Sequence, residues 1–242
     1  MIKRLQHYWA ISVFTLFFLP LTISLGFWQL DRAEQKQQLQ ASLAALEEPI
    51  TFAQGQDLGA LENFQRVTLY SRFIKPFIWF KDNQVVKGKV GYDAVGLIRL
   101  DNDLLLVNRG FFASNGQRKP LPNIDWVDGE VTLTGRLVKM QANPYQRGTD
   151  IYTDQYPQLV QAISPSELGL HLEADVEGGV LPWVLILDRP GDATLVPHWR
   201  ASTMTESKHL AYAWQWFGLA LTLIILYIYR VFYSPLDTKK VD

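Results

Sequence analysis

The chain contains no cysteine. That absence excludes disulfides, CxxC redox chemistry, thiolate nucleophiles and Cys-built copper or zinc centres. Methionine is scarce too: Met1, Met140 and Met204 are the full set, which argues against a copper carrier. The four histidines (His7, His171, His198, His209) are scattered, with neither H-x-x-x-H nor HExxH spacing, so a protein-built zinc or di-metal site is not expected. No G-x-S-x-G elbow, P-loop or G-x-G-x-x-G occurs, which removes the usual signals for hydrolases and nucleotide enzymes. A formal net charge of -1 offers no nucleic acid an electrostatic footprint. Repeats and low-complexity segments are also missing. Nothing here points to an enzyme, although hydrolase chemistry on the plentiful carboxylates stays open and an enzyme acting at the membrane surface ranks last, and nothing points to a nucleic-acid partner.

What is present is a sharp segregation of apolar residues. Trp9–Trp28 and Leu210–Tyr229 are each 20 residues long and uncharged. At about 1.5 Å per residue each spans roughly 30 Å, the hydrocarbon thickness of a bilayer. Aromatic residues gather near their ends: Tyr8, Trp9 and Trp28 on the first, Tyr212, Trp214, Trp216, Tyr227, Tyr229 and Tyr233 on the second. That is the belt expected at the headgroup level. Pro20 lies inside the first run and predicts a kink that a lipid-embedded helix tolerates. The run is too long for a cleaved signal, and Leu25-Gly26-Phe27-Trp28 offers no small-x-small site, so it is read as an uncleaved anchor. No long Arg- and Ser-rich leader precedes it, which favours a bacterial inner membrane.

Lys3 and Arg4 flank the first run, and Arg230, Lys239 and Lys240 follow the second. The positive-inside rule then places both termini in the cytoplasm and the intervening segment on the periplasmic side. Residues 31–208 carry 18 basic and 22 acidic side chains, without a positive excess to resist export. The expected organisation is a cytoplasmic N-terminus (1–8), a transmembrane helix (9–28), a helical stalk (29–48), an extracytoplasmic β-rich domain (49–208), a second transmembrane helix (209–230) and a cytoplasmic C-terminus (231–242).

The stalk is expected because Ala, Leu, Glu, Gln and Lys dominate residues 29–48 and nothing breaks them before Pro49. Beyond it the composition turns aromatic and β-branched. Phe64–Ile74, Phe77–Phe80, Val85–Val90, Tyr92–Leu100, Leu104–Phe112, Glu130–Met140 and Pro182–Leu187 read as strands, with hairpin turns at Asp82-Asn83 and Asp101-Asn102-Asp103. Ser164-Pro165-Ser166-Glu167 reads as a helix start. Residues 113–128 and 141–157 read as irregular loops. The fold class is therefore an α+β membrane protein: two transmembrane helices, one near each terminus, enclosing an antiparallel barrel- or sandwich-like domain with one short helix.

One histidine stands out by position. His209 lies at the outer mouth of the second helix after Lys208, and shares a face with Tyr212, Ala213 and Trp216 at helical spacing. An imidazole beside a small residue and two aromatics suits an amphiphilic planar ligand such as haem, with Lys208 or Arg32 available for propionates. The alternative is a polar end residue flanked by belt anchors. Gly26-Phe27-Trp28-Gln29 lies at the same depth on the other helix; Gly26 permits close helix approach, and Trp28 faces either headgroups or the partner helix. Asn108-Arg109-Gly110 is read as ending an apolar strand, Arg109 either binding an anion or serving a turn.

Four motifs together resemble the SURF1 family: Gly26-x-Trp28-Gln29-x-x-Arg32-x-x-x-Lys36-x-x-Leu39; Arg66-Val67 followed by Phe73; Gly91-Tyr92 leading to Val107-Asn108-Arg109-Gly110-Phe111; and His209-Leu210-Ala211-Tyr212-Ala213-x-Gln215-Trp216-Phe217. The resemblance covers nearly the whole chain. Ser71, where the family's glycine is expected, and Phe112, where a tryptophan is common, depart from the pattern. The resemblance implies an assembly factor for haem-copper cytochrome c oxidase that binds haem a and assists its insertion into the catalytic subunit. Haem a synthase would be a further partner. It also implies His209 as the iron ligand or ligand-positioning residue, with Tyr212, Trp216, Trp28, Arg32 and Lys208 around the haem. Gly26, Gln29, Arg109, Gln215 and Phe217 would serve helix packing or partner contact. A scaffold that never binds haem is the alternative.

Overall fold

The computed structural model describes residues 7–53, 55–114, 116, 120–140, 150–172, 176–199 and 204–234. The expected tails at 1–8 and 231–242, with Lys3, Arg4, Lys239 and Lys240, fall largely outside these residues, as does most of the expected loop 141–157. The chain divides into two units: a helical one of residues 1–42 and 201–242, and a β-rich one of residues 43–200.

The helical unit is built on α1 (Trp9–Ala45) and α3 (Glu206–Ile228), the latter continuing as a wider turn through Tyr229–Tyr233. α1 runs unbroken through Pro20 and through the expected stalk, ending three residues short of position 48. α3 begins at Glu206 rather than His209. Both helices are long and apolar enough to cross a membrane, with mean hydropathy of 2.0 and 1.7 over their most apolar windows. Their large side chains point outwards: Leu16, Phe17, Leu221 and Ile225 are all more than half exposed. An apolar surface of that extent is what a lipid-facing helix presents.

The residues facing the other helix are small or polar. Thr15, Thr22, Gly26, Gln29 and Ala33 are buried on α1, and His209, Ala213 and Ala220 on α3. Ser12 Oγ lies 3.1 Å from Tyr227 Oη, Phe27 meets Phe217 edge-on at 5.4 Å, and Arg230 lies over the Tyr8 ring at 5.1 Å. These pairs advance along α1 as they recede along α3, so the helices form an antiparallel hairpin. Without a hydrophobic drive inside lipid, small residues and interhelical hydrogen bonds are what hold such a pair.

The β-rich unit is one eight-stranded sheet: β1 (Ile50–Thr51), β2 (Arg66–Ser71), β3 (Phe73–Val86), β4 (Lys89–Leu100), β5 (Asp103–Ala113), β6 (Val131–Lys139), β7 (Gln158–Val160) and β8 (Val180–Leu187), ordered β1-β2-β6-β8-β5-β4-β3-β7. Four pairings are antiparallel, while β1–β2, β3–β7 and β5–β8 are parallel, so the sheet is mixed rather than purely antiparallel. The sheet rolls on itself. Val67 and Leu69 of β2 share one core with Phe73 of β3, Ile98 of β4 and Leu137 of β6, although β2 and β4 are far apart in strand order. Ser71 Oγ bonds the Arg99 carbonyl across that gap at 2.7 Å. A second core on the other face is covered by α2 (Pro165–Leu172), through Leu168 and Leu172. α2 starts where expected: the Glu167 N–H donates to Ser164 Oγ at 3.4 Å.

Two expected turns fare differently. Asp101-Asn102 does connect β4 to β5. Asp82-Asn83 does not turn the chain; β3 continues through it with an irregularity between Lys81 and Gln84, and the hairpin closes at Lys87-Gly88. Both of these residues have positive φ, 50° and 77°, as a two-residue turn matching strand twist requires. Asp82 Oδ1 accepts from the Asn83 N–H, which satisfies the bulge locally.

Candidate functional site

The site starts from one hydrogen bond. His209 and Gln29 are both buried in the seam of the hairpin, and His209 Nδ1 lies 2.7 Å from Gln29 Oε1. Their residue types explain the pairing: a polar side chain facing a neighbouring helix at this depth needs a partner, and each supplies the other's. Three residues before Gln29, Gly26 lets Phe217 approach. A Cβ there would stand 2.5 Å from Phe217 Cε1, nearer than any real contact.

Helical spacing of about 100° per residue decides what flanks the seam. Taking Gln29 and His209 as the centres, Gly26 and Phe217 lie to one side of the seam on their helices. Trp28 and Arg32 lie to the opposite side on α1. Lys208, Tyr212 and Trp216 lie to that same opposite side on α3. In an antiparallel pair these displacements fall on one face of the hairpin. Five of the six residues expected around a planar ligand therefore fall to one side of the seam by helical spacing, and the sixth, His209, lies in the seam itself beside Gln29. Trp28 is 47% exposed and Tyr212 45% exposed, open aromatic surface beside a buried imidazole. Arg32 stacks over Trp28 at 5.6 Å, and its Nη1 donates to Gln35 Oε1. Direct contacts are seen for Arg32 with Trp28 and for His209 with Gln29; Lys208 and Gln215 are exposed.

If a haem were bound here, His209 would be the residue to hold its iron. An imidazole with one nitrogen already hydrogen-bonded is the usual form of a positioned iron ligand. Trp28 and Tyr212 would supply aromatic surface to a porphyrin, and Arg32 and Lys208 cations for propionates. Among the described residues no group of three or more His, Cys, Asp or Glu could hold a bare metal ion.

Arg109 belongs elsewhere. The Asn108-Arg109-Gly110 triplet does not end a strand: β5 runs on to Ala113, and the register slips opposite Ala94 and Val95. The slip turns Arg109 inward, where it is fully buried between the faces of Phe73 (5.1 Å) and Trp126 (5.7 Å). Nη2 donates to the Asp125 carbonyl at 2.7 Å. Burial pulls its pKa down, and Asp192 and Asp125 oppose that. Arg109 ties the segment around Asp125 to the sheet and stands within β5 rather than at a turn.

Two polar clusters escaped sequence reading because their members are distant in the chain. In one, Asp93 Oδ2 accepts from Asn108 Nδ2 at 3.0 Å while His198 Nε2 lies 3.2 Å from Oδ1. Burial raises the Asp93 pKa, and His198, the Asn108 bond and Lys81 counter it. In the other, Arg66 pairs with Asp188 at 2.8 Å and with Glu47, which also pairs with Arg136. Arg66 was visible in a motif, but its partners had no signal that sequence spacing could carry.

Comparison with known proteins agrees with the motif reading. The model of the SURF1 family matches residues 16–221. A SURF1-like protein of Rickettsia conorii is 30% identical over 225 residues, covering 89% of each chain. A SURF1-like protein of Rickettsia bellii is 25% identical over 233 residues, covering 91% of this chain and 89% of its own. The matched span takes in both sides of the Gln29–His209 seam, and the chain belongs to the SURF1 family.

Proposed function

We propose that this protein is a haem a carrier that assists assembly of haem-copper cytochrome c oxidase by handing the cofactor to the catalytic subunit. Haem a synthase is the expected supplier. It works as a multi-pass protein of a bacterial inner membrane, with both termini cytoplasmic and the β-rich unit periplasmic. What supports the reading is the buried His209–Gln29 pair, with Tyr212, Trp216, Trp28, Arg32 and Lys208 turned to one side of it by helical spacing. Family membership supports the oxidase context. The protein's part is to bind, orient and release: His209 at the iron, aromatic side chains along the ring, cations at the propionates. Haem supplies the redox chemistry after delivery.

The test is the optical spectrum of detergent-purified protein from cells making haem a, wild type beside His209→Ala. Wild type should carry a haem a spectrum, and the variant should lose or shift it while its melting temperature stays close to wild type. A haem a spectrum identical in the two would remove His209 from the iron.

A second reading is favoured by one observation: His209 is only 6% exposed and already bonded to Gln29, as a helix-packing residue would be. In that reading the protein is a scaffold that steadies an oxidase intermediate through protein contacts. Haem-free wild type, crosslinks from both helices to oxidase subunits and full oxidase assembly with His209→Ala would select it.

A further inference from the structure

The geometry points to Gln29 as the positioning residue that selects which nitrogen of His209 is offered to a ligand; the inference rests on the haem-carrier reading. A neutral imidazole has one protonated nitrogen and one lone pair. The 2.7 Å contact uses Nδ1 and the oxygen of the Gln29 amide. With that oxygen as acceptor, Nδ1 must carry the proton and donate, so Nε2 keeps its lone pair and can bind iron. With the amide reversed, its NH2 would donate to Nδ1. Nε2 would then be protonated, and the ring could not ligate. The two arrangements differ in one amide rotation and in ligand competence.

The contact to Oε1 is the first arrangement, and three features hold the pair in place. Both side chains are more than nine-tenths buried, so water does not compete for either nitrogen-bonding group. The pair joins two helices from positions 180 residues apart, and each helix continues regularly through its member, so the ring has little freedom to turn away. Gly26 lets Phe217 pack directly against α1, and by helical spacing both are turned away from Trp28 and Tyr212. Gln29 thus does for His209 what a carboxylate or carbonyl does for a metal-bound histidine. An uncharged amide is the suitable version at the membrane edge, where a buried carboxylate would be costly.

The inference separates two variants. Gln29→Leu keeps the volume and removes the acceptor; Gln29→Glu keeps an acceptor and removes the donor. The first measurement uses the full-length protein in detergent, made without haem a and labelled with 15N-histidine; the His209 resonances are those missing from His209→Ala. Wild type should show Nδ1 protonated and Nε2 bare, Gln29→Glu the same, and Gln29→Leu a mixture of tautomers. The second measurement is haem a retention and spectrum after coexpression. Gln29→Leu should retain haem about 10–100-fold less tightly, the usual effect of removing a ligand's hydrogen-bond partner. Gln29→Glu should retain it, with a shifted spectrum and a lower midpoint potential from the more basic imidazole. A protonated Nε2 in wild type would overturn the inference, and so would nitrogen resonances and a haem spectrum unmoved by Gln29→Leu. Wild type without haem would instead overturn the carrier reading, while the nitrogen resonances still decide the role of Gln29.

Discussion

Asp93 shows how much a single residue's surroundings matter. Its carboxylate is 5% exposed, and burial lifts its pKa above the ordinary value despite His198, Asn108 and Lys81. A carboxylate raised on folding stabilises the native state below its unfolded pKa of about 3.9, and that contribution is lost as pH rises through the folded value. Ionised Asp93 is therefore a cost at neutral pH. Asp93→Asn, which cannot ionise, should melt a few degrees higher than wild type at pH 7–8. The gap should close as pH falls toward 4. Thermal melts from pH 4 to 8 test this; a gap that is constant or reversed would show that His198 and Lys81 already cancel the burial. Asp192 behaves oppositely: burial pushes it up, but bonds from Thr194 and the Asp125 N–H, with Arg109 nearby, outweigh burial and hold it below the ordinary value.

At the level of elements, the hairpin depends on Gly26. Gly26→Val would drive its side chain into Phe217, which is packed against Phe27 and cannot simply swing away. Overpacking of this kind costs about 1–3 kcal/mol. The chain has no cysteine of its own, so a Ser12→Cys/Tyr227→Cys pair, joined by a short bis-maleimide that spans the length of the lost tyrosine ring, reports helix pairing; the two native oxygens are 3.1 Å apart. Crosslinking should be efficient in the parent, fall several-fold with Gly26→Val, and recover when Phe217→Ala makes room. Failure of Phe217→Ala to restore it would mean that the seam does not close at this point. Elements of the sheet were legible to different degrees. β4, β5, β6 and β8 announce themselves by alternation or apolar runs bounded by turn residues. β1 and β7, at two and three residues, are too short for a period to register. The Asp82-Asn83 step looks like a turn because Asn accepts positive φ, yet the strand absorbs it as a bulge; positive φ at two consecutive positions, Lys87 and Gly88, is what turns the chain.

For the whole molecule, the testable question is orientation. Leu170 is 72% exposed on α2 of the β-rich unit, and Tyr233 is 75% exposed past the far end of α3. In an otherwise cysteine-free chain, Leu170→Cys should react with a membrane-impermeant maleimide added to spheroplasts, and Tyr233→Cys only after lysis. The reverse pattern would invert the proposed topology. An equal result at both sites would mean that the helices do not span.

Length, apolarity and belt aromatics were enough to find both long apolar helices, because a run of 20 residues matched to a bilayer leaves a contiguous signal. Four short motifs were enough for the family. Strand order was not legible: β8 lies between β5 and β6, parallel to β5, because buried faces had to be closed by a strand some 70 residues later, and such pairings leave no local pattern. Nor could spacing show that Arg109 is sandwiched by Phe73 and Trp126, since a register slip turns it inward. The partnership of Gln29 with His209 belongs to the tertiary structure for the same reason. Each was visible alone at a helix end, but which buried nitrogen meets which oxygen is decided only when two distant helices close on a glycine.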